Sequence, residues 1–211
     1  MPLNRVQLEQ QNRSVSPGTR YLTDVAPLDQ LNAISASQGL VLITSNKFDS
    51  VTSVSINNCF TTTYQNYRVL LTLTNVNSDS DFTLRLRSGG QDNPSNFYDN
   101  SFVGIDTANA ASNATGTSTA FLVGESDNGI TASSGAKSIR YRLLLDFFSP
   151  AELENTVIIG QYAFVNKAAT LSIARNGAGQ FQYITSFDGF SFISSVANSI
   201  SGIVRVYGYK I

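Results

Sequence analysis

The chain has 211 residues, 42% apolar and only 14% charged, with a formal net charge of −1. That length fits one domain with or without an appendage, and the near-zero charge leaves no electrostatic footprint for nucleic acid or anionic lipid, so neither is expected as a partner. His and Trp are absent and Cys59 is the lone cysteine, which removes the commonest general base and metal ligand and excludes an internal disulfide.

Ser, Thr, Asn and Gln fill the place of the missing charges and give a neutral, hydrogen-bonding surface. No apolar run approaches the roughly 18–20 residues of a membrane span. Met1-Pro2-Leu3-Asn4-Arg5 lacks the apolar core of a signal peptide. The expectation is a soluble protein made in the cytoplasm and not exported by a signal peptide.

Residues 1–38 show no sustained period. Val15-Ser16-Pro17-Gly18-Thr19 reads as a turn. Pro27 opens a short helix candidate, with Leu28, Leu31 and Ile34 on one face and Asp29 near its N-terminal end. The segment cannot build a core alone. Leu3, Val6, Leu8, Tyr21, Leu22, Val25, Leu28 and Leu31 make it a docking arm laid against a partner; a tail with no fixed place is the alternative.

From Gly39 the pattern changes to strands. Leu40-Val41-Leu42-Ile43 is a short apolar run, and Val54 and Ile56 share a face of the next strand. Phe60 to Tyr64 leads into Tyr67 to Thr74, where Tyr67, Val69, Leu71 and Leu73 alternate with Arg68 and Thr72. Phe82, Leu84 and Leu86 alternate with Arg85 and Arg87. Residues 89–117 form the longest irregular stretch, whose aromatics argue that part of it is strand. Lys137 to Phe148 is the longest strand candidate, with Ile139, Tyr141, Leu143, Leu145 and Phe147 on one face; Ser149-Pro150 ends it. Strands follow over Thr156 to Phe164 and Ala169 to Arg175. A turn at Asn176-Gly177 or Gly179 sends the chain back along Phe181 to Ile184, Asp188-Gly189 turns it again, and Ile200 to Ile211 closes the domain. Turn signals every 8–12 residues or so and strands with one apolar face predict an all-β, antiparallel sandwich, jelly-roll-like, over 39–211, preceded by the extended arm 1–38.

Few residues point to chemistry. Without His, a Ser-His-Asp or Cys-His centre cannot form in this chain. The carboxylate pairs Asp79/Asp81 and Glu152/Glu154 sit in polar turns, where solvated side chains are the expectation, not the facing acid and base of a glycosidase. Asn77-Ser78-Asp79-Ser80-Asp81 is dense in oxygen but lacks the glycine and closing glutamate of an EF-hand. Gly177-Ala178-Gly179 reads as a hairpin turn, not a phosphate cradle. Cys59 reads as a small buried hydrophobe. No catalytic residue, metal site or cofactor is expected. Arg68, Arg85, Arg87, Arg140, Arg142 and Arg205 fall on polar strand faces. They would make a basic stripe for an acidic partner if their strands are neighbours, or pair across strands with acids such as Asp146. Phe97, Tyr98 and Phe102, with Asp92, Asp99 and Asp106 nearby, are the candidates for glycan contact.

The order Leu40-Val41-Leu42-Ile43, Val51-Thr52-Ser53-Val54-Ser55-Ile56, Phe60-Thr61-Thr62-Thr63-Tyr64-Gln65-Asn66-Tyr67-Arg68-Val69 resembles the opening of β-sandwich domains in tail fibres and other virion appendages of tailed bacteriophages. Leu84 to Gly90 fits that pattern, and Gly202 to Tyr209 is similar to the Gly-x-Ile/Val-x-Val-Tyr-Gly-Tyr strand that closes such domains. The resemblance spans 40–211 and leaves the arm outside it. It implies a structural role in virion assembly or host-surface contact, frequently as a homotrimer, and supplies no catalytic residues. The chain has no coiled-coil or repeat shaft, so the expectation is a small virion-bound sandwich assembled in the host cytoplasm, its arm anchored on other virion proteins. A tail-associated fibre, adaptor or receptor-contacting component comes first. A capsid decoration or cement protein and a free carbohydrate-binding module are the alternatives. Gly202 and Gly208 are expected at a bulge or a close approach.

Overall fold

Alternation with a period of two becomes a buried face wherever the sequence shows it most cleanly. A computed structural model describes residues 39–76, 80–106, 111–124, 141–165 and 172–210. The strands are numbered in chain order: β1 Gly39–Val51, β2 Ser53–Ile56, β3 Asn66–Val76, β4 Phe82–Ser88, β5 Gln91–Asp92, β6 Tyr98–Asp106, β7 Ala111–Ser118, β8 Phe121–Gly124, β9 Tyr141–Phe148, β10 Val157–Val165, β11 Ser172–Phe181, β12 Gly189–Ser194 and β13 Ile200–Lys210. Tyr67, Val69, Leu71 and Leu73 of β3, Phe82, Leu84 and Leu86 of β4, and Tyr141, Leu143, Leu145 and Phe147 of β9 are all buried, as their spacing requires.

The strands form two antiparallel sheets. Among the described residues the larger has eight strands in the order β1-β13-β3-β9-β10-β11-β6-β7; the smaller runs β2-β12-β4-β5, with β8 also pairing to β4. The inner faces meet through aromatic rings. Phe82 of β4 stands 5.3 Å from Tyr141 of β9, and Phe147 of β9 stands 5.8 Å from Phe190 of β12, centroid to centroid. Phe60 joins the second group, 4.9 Å from Tyr67 and 5.1 Å from Phe147. Each such pair contributes about 0.5–1.5 kcal/mol beyond the area it buries. The protein is an all-β, antiparallel sandwich.

The closing strand is internal, between β1 and β3. Its register slips between Ser201 and Gly202, the mark of a bulge. A Cβ on Gly202 would lie 2.3 Å from the Thr72 carbonyl oxygen, and one on Gly208 would lie 2.4 Å from the Tyr64 ring. Both glycines are required by close approach.

Several expectations are corrected. Leu40 to Ile43 is part of a strand of 13 residues, not a short run, and it forms the sheet edge with Leu40, Val41 and Leu42 exposed. Phe60 to Tyr64 is not strand. It is a loop pinned by the Cys59 and Phe60 amides donating to the Asp188 carbonyl at 2.8 and 3.1 Å. Residues 89–117 hold β5, β6 and most of β7, so part of the stretch is strand, as its aromatics argue; only β7, Ala111 to Ser118, carries no large apolar residue to show it. No turn forms at Asn176-Gly177 or Gly179, because β11 runs straight through 172–181. Gly179 serves space instead, since a Cβ there would lie 2.9 Å from both Phe121 and the Asp99 carbonyl. Phe181 to Ile184 is not a returning strand; Phe181 ends β11 and Tyr183 and Ile184 are exposed beyond it. Asp188-Gly189 does not turn the chain into β13 but opens β12, a strand buried on nearly every residue. The arm residues Leu3, Val6, Leu8, Tyr21, Leu22, Val25, Leu28 and Leu31 lie outside the described residues, as do Asp79 and Arg140.

Candidate functional site

The local chain path builds the site where β6 and β11 end together. Their register pairs Asp99 with Gln180 and Tyr98 with Phe181, and one further hydrogen bond, Gln182 N–H to the Phe97 carbonyl at 2.9 Å, extends the ladder past both strands. That last bond fixes Phe97 against the segment leaving β11. Phe97 therefore lies under Tyr183, with ring centroids 5.1 Å apart and planes inclined by 19°. The buried Phe181 meets Phe97 edge-on at 6.1 Å. Phe97 is 38% exposed, Tyr183 58% and Ile184 65%, so Tyr183 is the outer ring of a stack anchored in the core. Beside it the Gln182 side-chain amide donates to the Asp99 carboxylate at 3.0 Å. Asp99, Ser101, Gln180, Val157 and Ala178 line an adjoining depression of about 250 Å³.

An aromatic face beside planar hydrogen-bonding groups has a definite chemical capacity. The ring offers a flat apolar surface, and the carboxylate and amides offer acceptors and donors in fixed directions. A polyhydroxylated ring, apolar on its C–H face and polar at its rim, matches that layout.

The sequence named three aromatics here, and the structure separates them. Phe97 is in the exposed stack. Tyr98 is not available to a ligand: it is 0% exposed because it points the other way along β6, into the sandwich, where it meets Phe121 and Phe181 at 4.8 and 5.0 Å. Its hydroxyl accepts from the Leu86 amide at 3.1 Å and donates to the Asn93 carbonyl at 3.0 Å. Burial pushes that phenol up to about 12. Phe102 pairs through its backbone with Gly177 and Ala114, and its side chain lies outside what the structure describes. Of the nearby acids, Asp99 is at the stack, whereas Asp92 is engaged by Arg87 and Ser191. Tyr183 was missed as a site residue because Phe181-Gln182-Tyr183-Ile184 alternates like a strand; the chain leaves the sheet after Phe181.

The six arginines also divide. Arg85 and Arg87 belong to the smaller sheet, where Arg85 bonds to Thr119 and Arg87 to Asn57, Gly90, Asp92 and Ser191. Arg68, Arg142 and Arg205 lie on the neighbouring strands β3, β9 and β13 of the larger sheet. Arg68 grips Asp146 with two bonds of 2.8 and 2.7 Å, Tyr209 donates to the same carboxylate at 2.7 Å, and the guanidinium stands 5.4 Å from the Tyr209 ring centre. Burial pulls the Asp146 carboxyl up, but the bonds from Arg68 and Tyr209 outweigh it and hold it below the ordinary range. Arg142 and Arg205 line an open groove of about 450 Å³ on the outer face of the sheet, over Leu70, Leu144, Gln161 and Asn176.

Cys59 is buried, and burial pushes its thiol up to about 12. Glu152 and Glu154 are exposed in the bend after β9. Among the described residues, no three His, Cys, Asp or Glu side chains gather to hold a metal. One buried cation was not foreseen: Arg175 lies on the inner face of β11, in room left by Gly104, with its guanidinium 3.3 Å from the Tyr162 hydroxyl.

No family model and no curated protein matches the chain. Among solved structures it is matched with the Caenorhabditis elegans galectin LEC-6, at 12% identity over 81% of this chain and 96% of that one, with a TM-score of 0.22, a likeness on which no functional argument rests.

Proposed function

We propose that this chain is a non-catalytic, glycan-contacting β-sandwich of a tailed-bacteriophage virion, associated with the tail as a fibre, adaptor or receptor-contacting component. The observation that carries the glycan contact is the exposed Tyr183–Phe97 stack beside the Asp99–Gln182 pair. The virion setting rests on the order of sequence motifs between Leu40 and Tyr209. Self-association is supported by the exposed Leu40, Val41 and Leu42 on edge strand β1; a homotrimer is what the motif resemblance implies. An edge strand with apolar side chains and open backbone groups is a pairing surface unless it is covered.

Two measurements test the reading. A glycan array that includes bacterial surface polysaccharides is expected to give binding that Tyr183→Ala weakens; an array without hits refutes glycan contact. A map of the purified particle is expected to place the protein on the tail. Density on the capsid lattice would replace the tail assignment with a decoration role, and absence from the particle would refute the virion setting.

A further inference from the structure

We infer that the outer face of the eight-stranded sheet recognises an acidic polysaccharide, with Arg142 and Arg205 reading two carboxylates along its chain. This rests on the glycan-contact reading above and names the class of glycan.

Two guanidiniums stay uncommitted on this face. Arg68 is spent on Asp146, whereas neither Arg142 nor Arg205 makes an ion pair among the described residues. Two cations without an acidic partner on one face leave a local positive potential that favours an anion arriving from outside. Arg205 is in register with Leu70, and Arg142 with Thr72, on the intervening strand β3. Two strand spacings across and two residues along put their backbone positions about 12 Å apart. That separation suits two carboxylates on an extended chain better than one small anion. The guanidinium fork binds a carboxylate through two parallel hydrogen bonds, a geometry a point charge lacks.

The floor beside the arginines, running from β3 across β9 to β10 and β11, suits sugar rings. Leu70 and Leu144 are in register and half-buried, and Gln161 and Asn176 continue the same cross-strand row. Apolar area for C–H faces thus lies beside amides for hydroxyls. The groove also leads to the aromatic stack. Gln180 lies four residues beyond Asn176 on β11 and on the same face, about 13 Å along the strand. One polymer therefore spans both features, as a single monosaccharide would not.

The test measures binding of the full chain to uronic-acid polysaccharides (polygalacturonate, alginate, hyaluronan), each against its methyl-esterified form, which keeps the sugar and removes the charge. Polyglutamate serves as the charge-only control. At least one acidic polymer is expected to bind about tenfold more tightly than its ester, with the preference lost in R142Q/R205Q and at high salt. Arg142 is exposed and Arg205 half-buried on the outer face, neither with an ion pair among the described residues, so the double variant should melt close to the parent. Equal binding of every polymer and its ester overturns the acidic class while glycan contact stands. Binding of polyglutamate as tight as that of the best polysaccharide overturns it in favour of an acidic polypeptide. No binding to these polymers overturns the inference, and only an empty glycan array as well would sink the broader reading.

Discussion

Replacing Tyr183 with alanine tests the site at its outermost group. A tyrosine side chain presents about 200 Å². With Tyr183 58% exposed, about 120 Å² is open, and a flat ligand on one face covers about half of that. At about 25 cal/mol per Å², the lost contact comes to about 1.5 kcal/mol, or about tenfold in Kd. Tyr183→Phe keeps the ring and should stay within about threefold, the allowance for one exposed hydroxyl bond. Calorimetric titration with the best array hit reads both variants. The ring is attached only at the surface, so Tyr183→Ala should lose no more than the Phe97 stack contributes to stability, about 0.5–1.5 kcal/mol. An alanine variant that folds and binds within twofold of the parent would refute the stacking argument outright.

Three further outcomes follow from the geometry. Tyr98→Phe leaves the buried Leu86 amide without its acceptor and should cost about 1–3 kcal/mol in urea unfolding with glycan affinity unchanged; an affinity loss without a stability loss would return Tyr98 to the site. Gly202→Ala places a methyl 2.3 Å from the Thr72 carbonyl, an overpacking expected to cost about 1–3 kcal/mol and several degrees in Tm; an unchanged melting curve would mean the bulge shifts freely. Burial pushes the phenols of Tyr98 and Tyr209 up to about 12, Tyr209 also being held by its bond to Asp146, and the fully buried Tyr141 lies well above its ordinary value. Unfolded tyrosines titrate near 10. Because the folded values are raised, the stability these groups contribute is complete below about pH 10 and falls as pH climbs toward 12. The phenolate absorbance of these three tyrosines should therefore rise late and together with unfolding, and native titration of Tyr98, Tyr141 and Tyr209 near 10 would contradict it.

The sequence was legible where one face of a strand is buried and the other wet. In β3, β4 and β9 the alternation of large apolar with polar residues reports burial directly, so the core residues and the two-sheet packing could be read. It was illegible where that contrast vanishes. Gly189 to Ser194 is covered on both faces, and Ala111 to Ser118 is built from small residues. Glycine misled most. Gly177 and Gly179 look like a turn, yet neither adopts the positive φ found at Gly89 and Gly90, where the tight connection between β4 and β5 does require it. At the site, Phe97 and Asp99 were within reach of sequence reasoning because they sit in a polar stretch. Tyr183 was not, because its partner Phe97 is distant in sequence and only the register of β6 against β11 joins them. Arg142 and Arg205, without an ion pair among the described residues, needed the structure too, since only the strand order separates them from the bonded Arg85 and Arg87.

The position of β13 has a consequence for how the chain is made. The first strand of the sandwich, β1, has β13 as its neighbour in the sheet, and β3 depends on β13 for one of its two neighbours. Of the described strands, the ribosome releases β1 first and β13 after all the others. Everything from β2 to β12 must be synthesised before either gap can close, and pairings this distant in sequence are slow to form. Until then the nascent chain carries two open apolar edges, and a product cut short before Ile200 carries them permanently. Such edges pair with other chains. Completion of the closing strand is therefore the step that covers those edges: β1 and β3 gain their shared neighbour only once β13 is made.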